Sequence, residues 1–130
     1  MGQQQLLLII LGVIIVGVAI AVGISQFGSN AASSAHDAIL TDLTNLGANA
    51  FQYRIKPTAM GGGGGSYTGY SVPKGLDTNA TGFYTIPSNT GSTISFTGSS
   101  VAYPGNSITS KYDSTGKLSG TIDISAWNPQ

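Results

Sequence analysis

LLLIILGVIIVGVAIAVGI, residues 6–24, is nineteen uncharged and almost wholly apolar residues in a row, and the reading of the rest of the chain depends on it. A helix that crosses a bilayer needs roughly 20 such residues at about 1.5 Å each. Leu, Ile and Val occupy every angular position, so no polar face is left for water and the helix has to be buried in lipid or in protein. Glycines recur at Gly12, Gly17, Gly23 and Gly28, and each costs a helix interior about 1 kcal/mol relative to Ala. Gly17 with Ala21, and Ala19 with Gly23, have the small-xxx-small spacing that lets helix backbones approach. Glycine is also simply commoner in membrane helices, and the sequence leaves both readings open.

On the amino-terminal side, MGQQQ carries no Lys or Arg of the kind that precedes the apolar core of a secretory signal peptide. No small-residue cleavage site stands out after the run, so the segment is expected to be retained. The first basic residue is Arg54, too distant for the positive-inside rule to set an orientation.

On the other side the residues turn small and polar, and Ser34 and Asp37 have the spacing of a capping box. A weak point in the helix is therefore expected within residues 12–28 or 29–34. Ile39, Leu43, Leu46, Ala50 and Tyr53 then follow at helical intervals, one apolar stripe that has to cover a core. It stops at Lys56 and Pro57, where proline removes a backbone donor and pushes the preceding residue out of helical geometry. If residues 3–55 form one helix, its length is on the order of 80 Å, far more than a bilayer requires.

From Ala59 the composition shifts to Gly, Ser, Thr and Tyr, beginning with five glycines at 61–65. Such a run is either a flexible or a very tightly folded connection. No Lys with Ser or Thr stands at phosphate-loop spacing beside it. Short strands are expected at 67–72, 82–86, 93–97, 107–112 and 118–127. In the last, Leu118, Ile122, Ile124 and Ala126 alternate with Ser119, Thr121, Asp123 and Ser125, and a turn at 113–116 precedes it. The chain thus divides into an apolar membrane or assembly helix (1–33), an amphipathic helix (34–58) and a small β-rich outer domain (59–130). The predicted fold class is α+β, a small antiparallel sheet packed on the stripe of Ile39, Leu43, Leu46 and Tyr53. Phe83, Ile94, Phe96, Ile122 and Ile124 are the expected partners of that stripe. An outer domain this small is marginal alone and needs the helix.

With 130 residues, five basic and five acidic side chains and no cysteine, the chain has room for one modest domain beside the helix. Zero net charge argues against nucleic acid as a partner. Without cysteine there is no disulfide, thiol chemistry or Cys-based zinc site.

A membrane-length apolar helix, QQQLLLIILGVIIVGVAIAVGI, continued by an amphipathic half and a small sheet, resembles the type IV pilins and their pseudopilin relatives. The resemblance implies a structural subunit of an extracellular filament on the cell surface, drawn from a membrane-inserted pool by an assembly machinery. Its partners are identical copies, and no enzyme activity or cofactor is implied. The residues it assigns to the filament core are Gln3, Gln4, Gln5, Leu6, Ile9, Ile14, Gly17, Ala21 and Gly23. In that family a glutamate usually stands a few residues into the mature chain. Here three glutamines occupy the region, and amide hydrogen bonds would there stand in for the charge pair without the desolvation cost of a carboxylate.

Few residues suggest chemistry. His36 stands beside Asp37 and near Ser33 and Ser34, but adjacent helix residues point in different directions and do not make a hydrolase triad. The five aspartates lack metal-loop spacing, and neither metal nor cofactor is expected. Asn79, Ala80 and Thr81 form a formal glycosylation sequon in an expected loop. Two function classes therefore compete: the filament subunit, and a monomeric single-pass membrane-anchored binding module.

Overall fold

Residues 2–128 are described by the structure, a computed structural model of the chain. One helix, α1, runs Gly2–Ile55 and is followed by a short 3-10 turn, Thr58–Met60. Three strands then form one antiparallel sheet in the order β1 (Gly82–Asn89), β2 (Ile94–Ser100), β3 (Ser107–Tyr112). The fold is α+β. By contacts the chain forms two compact units, one ending at Ser34 and the other starting at Ala35.

The expected weak point in the helix is not found, since α1 is helical without a break through 12–34. Ser34 and Asp37 therefore lie inside a helix and do not begin one. Ala31, Ala32 and Ala35 are strong helix formers, and they carry the backbone across a stretch where a capping box offers only an alternative.

In the second unit, Ile39, Leu43, Leu46 and Ala50 are fully buried and share a core with Tyr67, Tyr70, Tyr84, Ile94, Phe96, Ile108 and Tyr112. Alternation along the strands delivers Tyr84 of β1, Ile94 and Phe96 of β2, and Ile108 and Tyr112 of β3 to that core. Two glycines let helix and sheet approach. A Cβ at Gly47 of α1 would lie 2.4 Å from the Tyr112 ring, and one at Gly98 of β2 would lie 2.7 Å from Ile39. The opposite face of the sheet carries the cross-strand row Thr85, Thr97 and Thr109.

Several sequence expectations need correction. Phe83 faces outward and is 49 % exposed, while its neighbour Tyr84 faces in. A one-residue difference in a strand exchanges the two faces. Ile124 is 50 % exposed, and Ile122 is only partly buried against the core. Residues 67–72 are not a strand but a turn, closed by Tyr70 N donating to Tyr67 O, with Gly69 at φ 85°. Residues 118–127 form no strand either, only single bridges from Leu118 to Tyr112 and from Asp123 to Thr109. β1 runs on to Asn89 past a register shift between Thr85 and Ser88 that contains Pro87.

The five glycines are tightly folded, and they close the end of α1. Gly63, Gly65 and Gly64 donate their N–H groups to the carbonyls of Tyr53 (2.8 Å), Arg54 (2.6 Å) and Lys56 (3.0 Å). These carbonyls lie at and just past the end of α1, where a helix leaves its last acceptors without internal partners. The close approach explains the composition, because a Cβ at Gly63 would sit 1.9 Å from Ser66 O. Gly65, at φ 100°, holds a backbone conformation that other residues rarely adopt.

Candidate functional site

Two regions are candidates for function: the uncovered apolar surface of the first unit, and the polar seam that joins helix and sheet in the second. On the first, every large apolar side chain from Leu6 to Phe27 is 53–78 % exposed. Gln3, Gln4, Gln5, Leu6, Ile9, Ile14, Gly17, Ala21 and Gly23 all lie on this exposed surface. Because the surface is apolar all round, no side of it is suited to water. The helix is long and apolar enough to cross a membrane by length and composition. No charged residue interrupts it before Asp37. At Gly12, Gly17, Gly23 and Gly28 an added Cβ would meet nothing within 4 Å.

The seam in the second unit is made of tyrosine hydroxyls. Tyr84 donates to Asp42 Oδ2 at 2.5 Å, Tyr112 to Leu43 O at 3.0 Å, Tyr70 to Asn49 Oδ1 at 2.7 Å, and Tyr53 to Thr68 O at 3.0 Å. Each bond supplies the partner that a buried or half-buried phenol needs. Burial and the hydrogen bond to Asp42 push the Tyr84 hydroxyl far above its ordinary range, and burial pushes Tyr70 up to about 12. Tyr67 is raised by burial too, with Arg54 opposing. The Arg54 guanidinium lies 5.7 Å from the centre of the Tyr67 ring, and its Nε is buried without a hydrogen-bond partner.

Asn79 is committed to the same seam. Its Nδ2 donates to Asp42 Oδ2 at 3.1 Å, while its Oδ1 accepts from the N–H groups of Thr81 and Gly82. Both ends of the carboxamide hold the entry to β1, and Nδ2 is the atom that an N-linked glycan would modify. His36 Nδ1 lies 3.5 Å from Asp37 Oδ1, and the His36 ring packs edge-on against Trp127. Trp127 in turn meets Tyr103, so His36 anchors the last described residues. Among the described residues no three His, Cys, Asp or Glu side chains gather as metal ligands.

Sequence reasoning named Ile39, Leu43 and Leu46, which are buried, and Tyr53, which is half-buried and bonded to Thr68. It missed Gly47, Gly98, Tyr84 and Tyr112. A glycine inside an otherwise regular apolar stripe, as at Gly47, was the available signal for close approach.

Compared with known proteins, the chain matches no family model, no curated protein and no solved structure.

Proposed function

We propose that the chain is a structural subunit of an extracellular helical filament of the type IV pilus kind. Its apolar helix holds it in the membrane before assembly and bundles with identical copies afterwards. The observation that carries this reading is the set Gly12, Gly17, Gly23 and Gly28, where a Cβ would meet nothing within 4 Å. No neighbour within the chain requires glycine there, at a cost of about 1 kcal/mol each, and the close approach of a neighbouring helix supplies one reason for it. Detached from lipid, the apolar surface has to be covered. Each fully buried Leu or Ile contributes roughly 2 kcal/mol, enough in total to offset the cost of association. The carboxamides of Gln3, Gln4 and Gln5 then bond across copies, and an assembly machinery moves subunits out of the membrane pool to the cell surface.

Helix length does not separate this reading from a monomeric membrane-anchored binding module. Ile39, Leu43, Leu46 and Ala50 are already covered by the chain's own sheet, which accounts for the helix from Ile39 onward.

Electron microscopy of the purified full chain after detergent removal tests the proposal, with filaments expected. Discrete single particles of one chain each would instead favour the anchored module. Ile14→Asp should abolish assembly, because a charge in a dry bundle has no partner. Normal filaments from that variant would count against bundling through the helix.

A further inference from the structure

The end of the chain is patterned for one conformation and held in another. Leu118, Ile122, Ile124 and Ala126 alternate with polar residues as a strand does, yet the segment makes only two single-pair bridges to β3. The bridges are out of step: residues 119–122 of the segment stand opposite only Ser110 and Lys111 of β3, and Gly120 at φ 78° lies within the excess. A segment paired at only two points opens more readily than a fully paired strand does. Leu118 and Ile124 are left 41 % and 50 % exposed.

The segment is nevertheless what covers the outer edge of β3. Ser119 N donates to Lys111 O at 2.7 Å, Thr109 and Asp123 exchange N–H bonds at 2.9 and 2.8 Å, and Asn128 N donates to Asn106 Oδ1. Ile122 and Trp127 are its partly buried anchors. An open edge is a template for pairing with another chain, and proteins close such edges deliberately. At the other side of the sheet the edge is already blunted, by the bulge with Pro87 and by Tyr84 N donating to Asp77 O. The connection to β3 is a turn in which Asp113 Oδ1 accepts from the N–H groups of Thr115 and Lys117.

We propose that residues 118–128 are an exchangeable strap, laid on β3 of its own chain in an isolated copy and on β3 of the next copy in the polymer. Identical copies make the exchange specific without any new contact, because every bond the strap makes to its own β3 it makes equally to a neighbour's. The turn at 113–117 opens to release it. Assembly raises the local concentration of neighbouring edges, which favours the exchanged form. Handed from copy to copy without closing, the strap links the outer domains in series while the helices bundle. The supply of neighbours rests on the filament reading; the strap's ability to pair with a second copy does not.

The natural absence of cysteine makes the test direct. Thr109 and Asp123 exchange both N–H bonds, and the Cα atoms of such a pair lie about 5.5 Å apart, within reach of a disulfide. Full-length Thr109→Cys and Asp123→Cys proteins are mixed in detergent, the detergent is removed, and the sample is oxidised and run on a non-reducing gel. The expected result is a shift to a covalent two-chain species in the mixture that neither variant gives alone. The double variant Thr109→Cys/Asp123→Cys should give a ladder of covalent multimers. A double variant that oxidises quantitatively within one chain, with no two-chain species in the mixture, overturns the proposal. Filaments by microscopy without such cross-links would sink the strap and leave the filament reading standing, whereas cross-linked pairs without filaments would do the reverse.

Discussion

Gly47→Ala is a substitution whose sign depends on one neighbour. In an exposed helix interior it stabilises by about 1 kcal/mol. Here the new Cβ would lie 2.4, 2.6 and 2.8 Å from three atoms of the Tyr112 ring, where ordinary carbon contacts are about 3.5–4.0 Å. The ring would have to retreat by about an ångström. It is held against that by its hydroxyl bond to Leu43 O at 3.0 Å and by edge-on packing with Phe96 at 6.0 Å. Overpacking costs about 1–3 kcal/mol, and loss of the hydroxyl bond adds about 1 kcal/mol. The net expectation is destabilisation by about 1–3 kcal/mol. For a unit of this size each kcal/mol lowers the melting temperature by about 4–8 °C. With Tyr112→Ala already in place the clash is gone, and Gly47→Ala should stabilise by up to about 1 kcal/mol. Thermal unfolding of the full chain in detergent, followed by near-ultraviolet circular dichroism, reads all four members of the cycle. If Gly47→Ala raises the melting temperature in the native background, the ring does not press on the helix and the account of this approach is wrong.

The tyrosine seam should fail at high pH. Tyr70 and Tyr84 have raised folded values, so their contribution is complete below the unfolded value of 10.0 and is lost as pH climbs through about 12 for Tyr70 and higher for Tyr84. Each ionising tyrosine should lower stability by up to about 1.4 kcal/mol per pH unit in that window. Tyrosinate absorbance rising for all six tyrosines near the unfolded value, with the dichroism unchanged, would contradict this. At the end of the helix, Gly63→Ala should break the glycine closure, because its Cβ would collide with Ser66 O at 1.9 Å. Hydrogen exchange of the Gly63, Gly64 and Gly65 amides should accelerate at least tenfold, about 1.4 kcal/mol of local protection; unchanged exchange would show that the closure tolerates a side chain.

The helix stripe was legible because Ile39, Leu43, Leu46 and Ala50 keep helical intervals that nothing nearby contradicts. The bounds of β3 were legible too, its end marked by the turn at 113–116. What failed was chiefly context. Phe83 and Tyr84 are both apolar enough for a core, and only pairing with β2, Tyr84 opposite Gly98, decides which faces the helix. Residues 67–72 have strand-like composition, but Gly69 bends them into a turn. The hydroxyl seam was illegible because a tyrosine in sequence does not declare its acceptor, and three of the acceptors, on Leu43, Asn49 and Thr68, are ordinary helix and loop groups. Of the exposed apolar helix, the sequence disclosed the surface itself and its glycines, since a run without any polar position needs no tertiary information to be read.

The seam is also free of ion pairs. Its donors are phenols and the Asn79 carboxamide, and its one carboxylate acceptor, Asp42, is satisfied by Tyr84 and Asn79 rather than by a cation. Surface ion pairs weaken as salt rises, because counterions screen them over about 10 Å at 0.1 M. A sheet docked by phenol hydroxyls and apolar packing has little to lose that way. Its grip on the helix is therefore expected to be nearly the same at low and at high ionic strength.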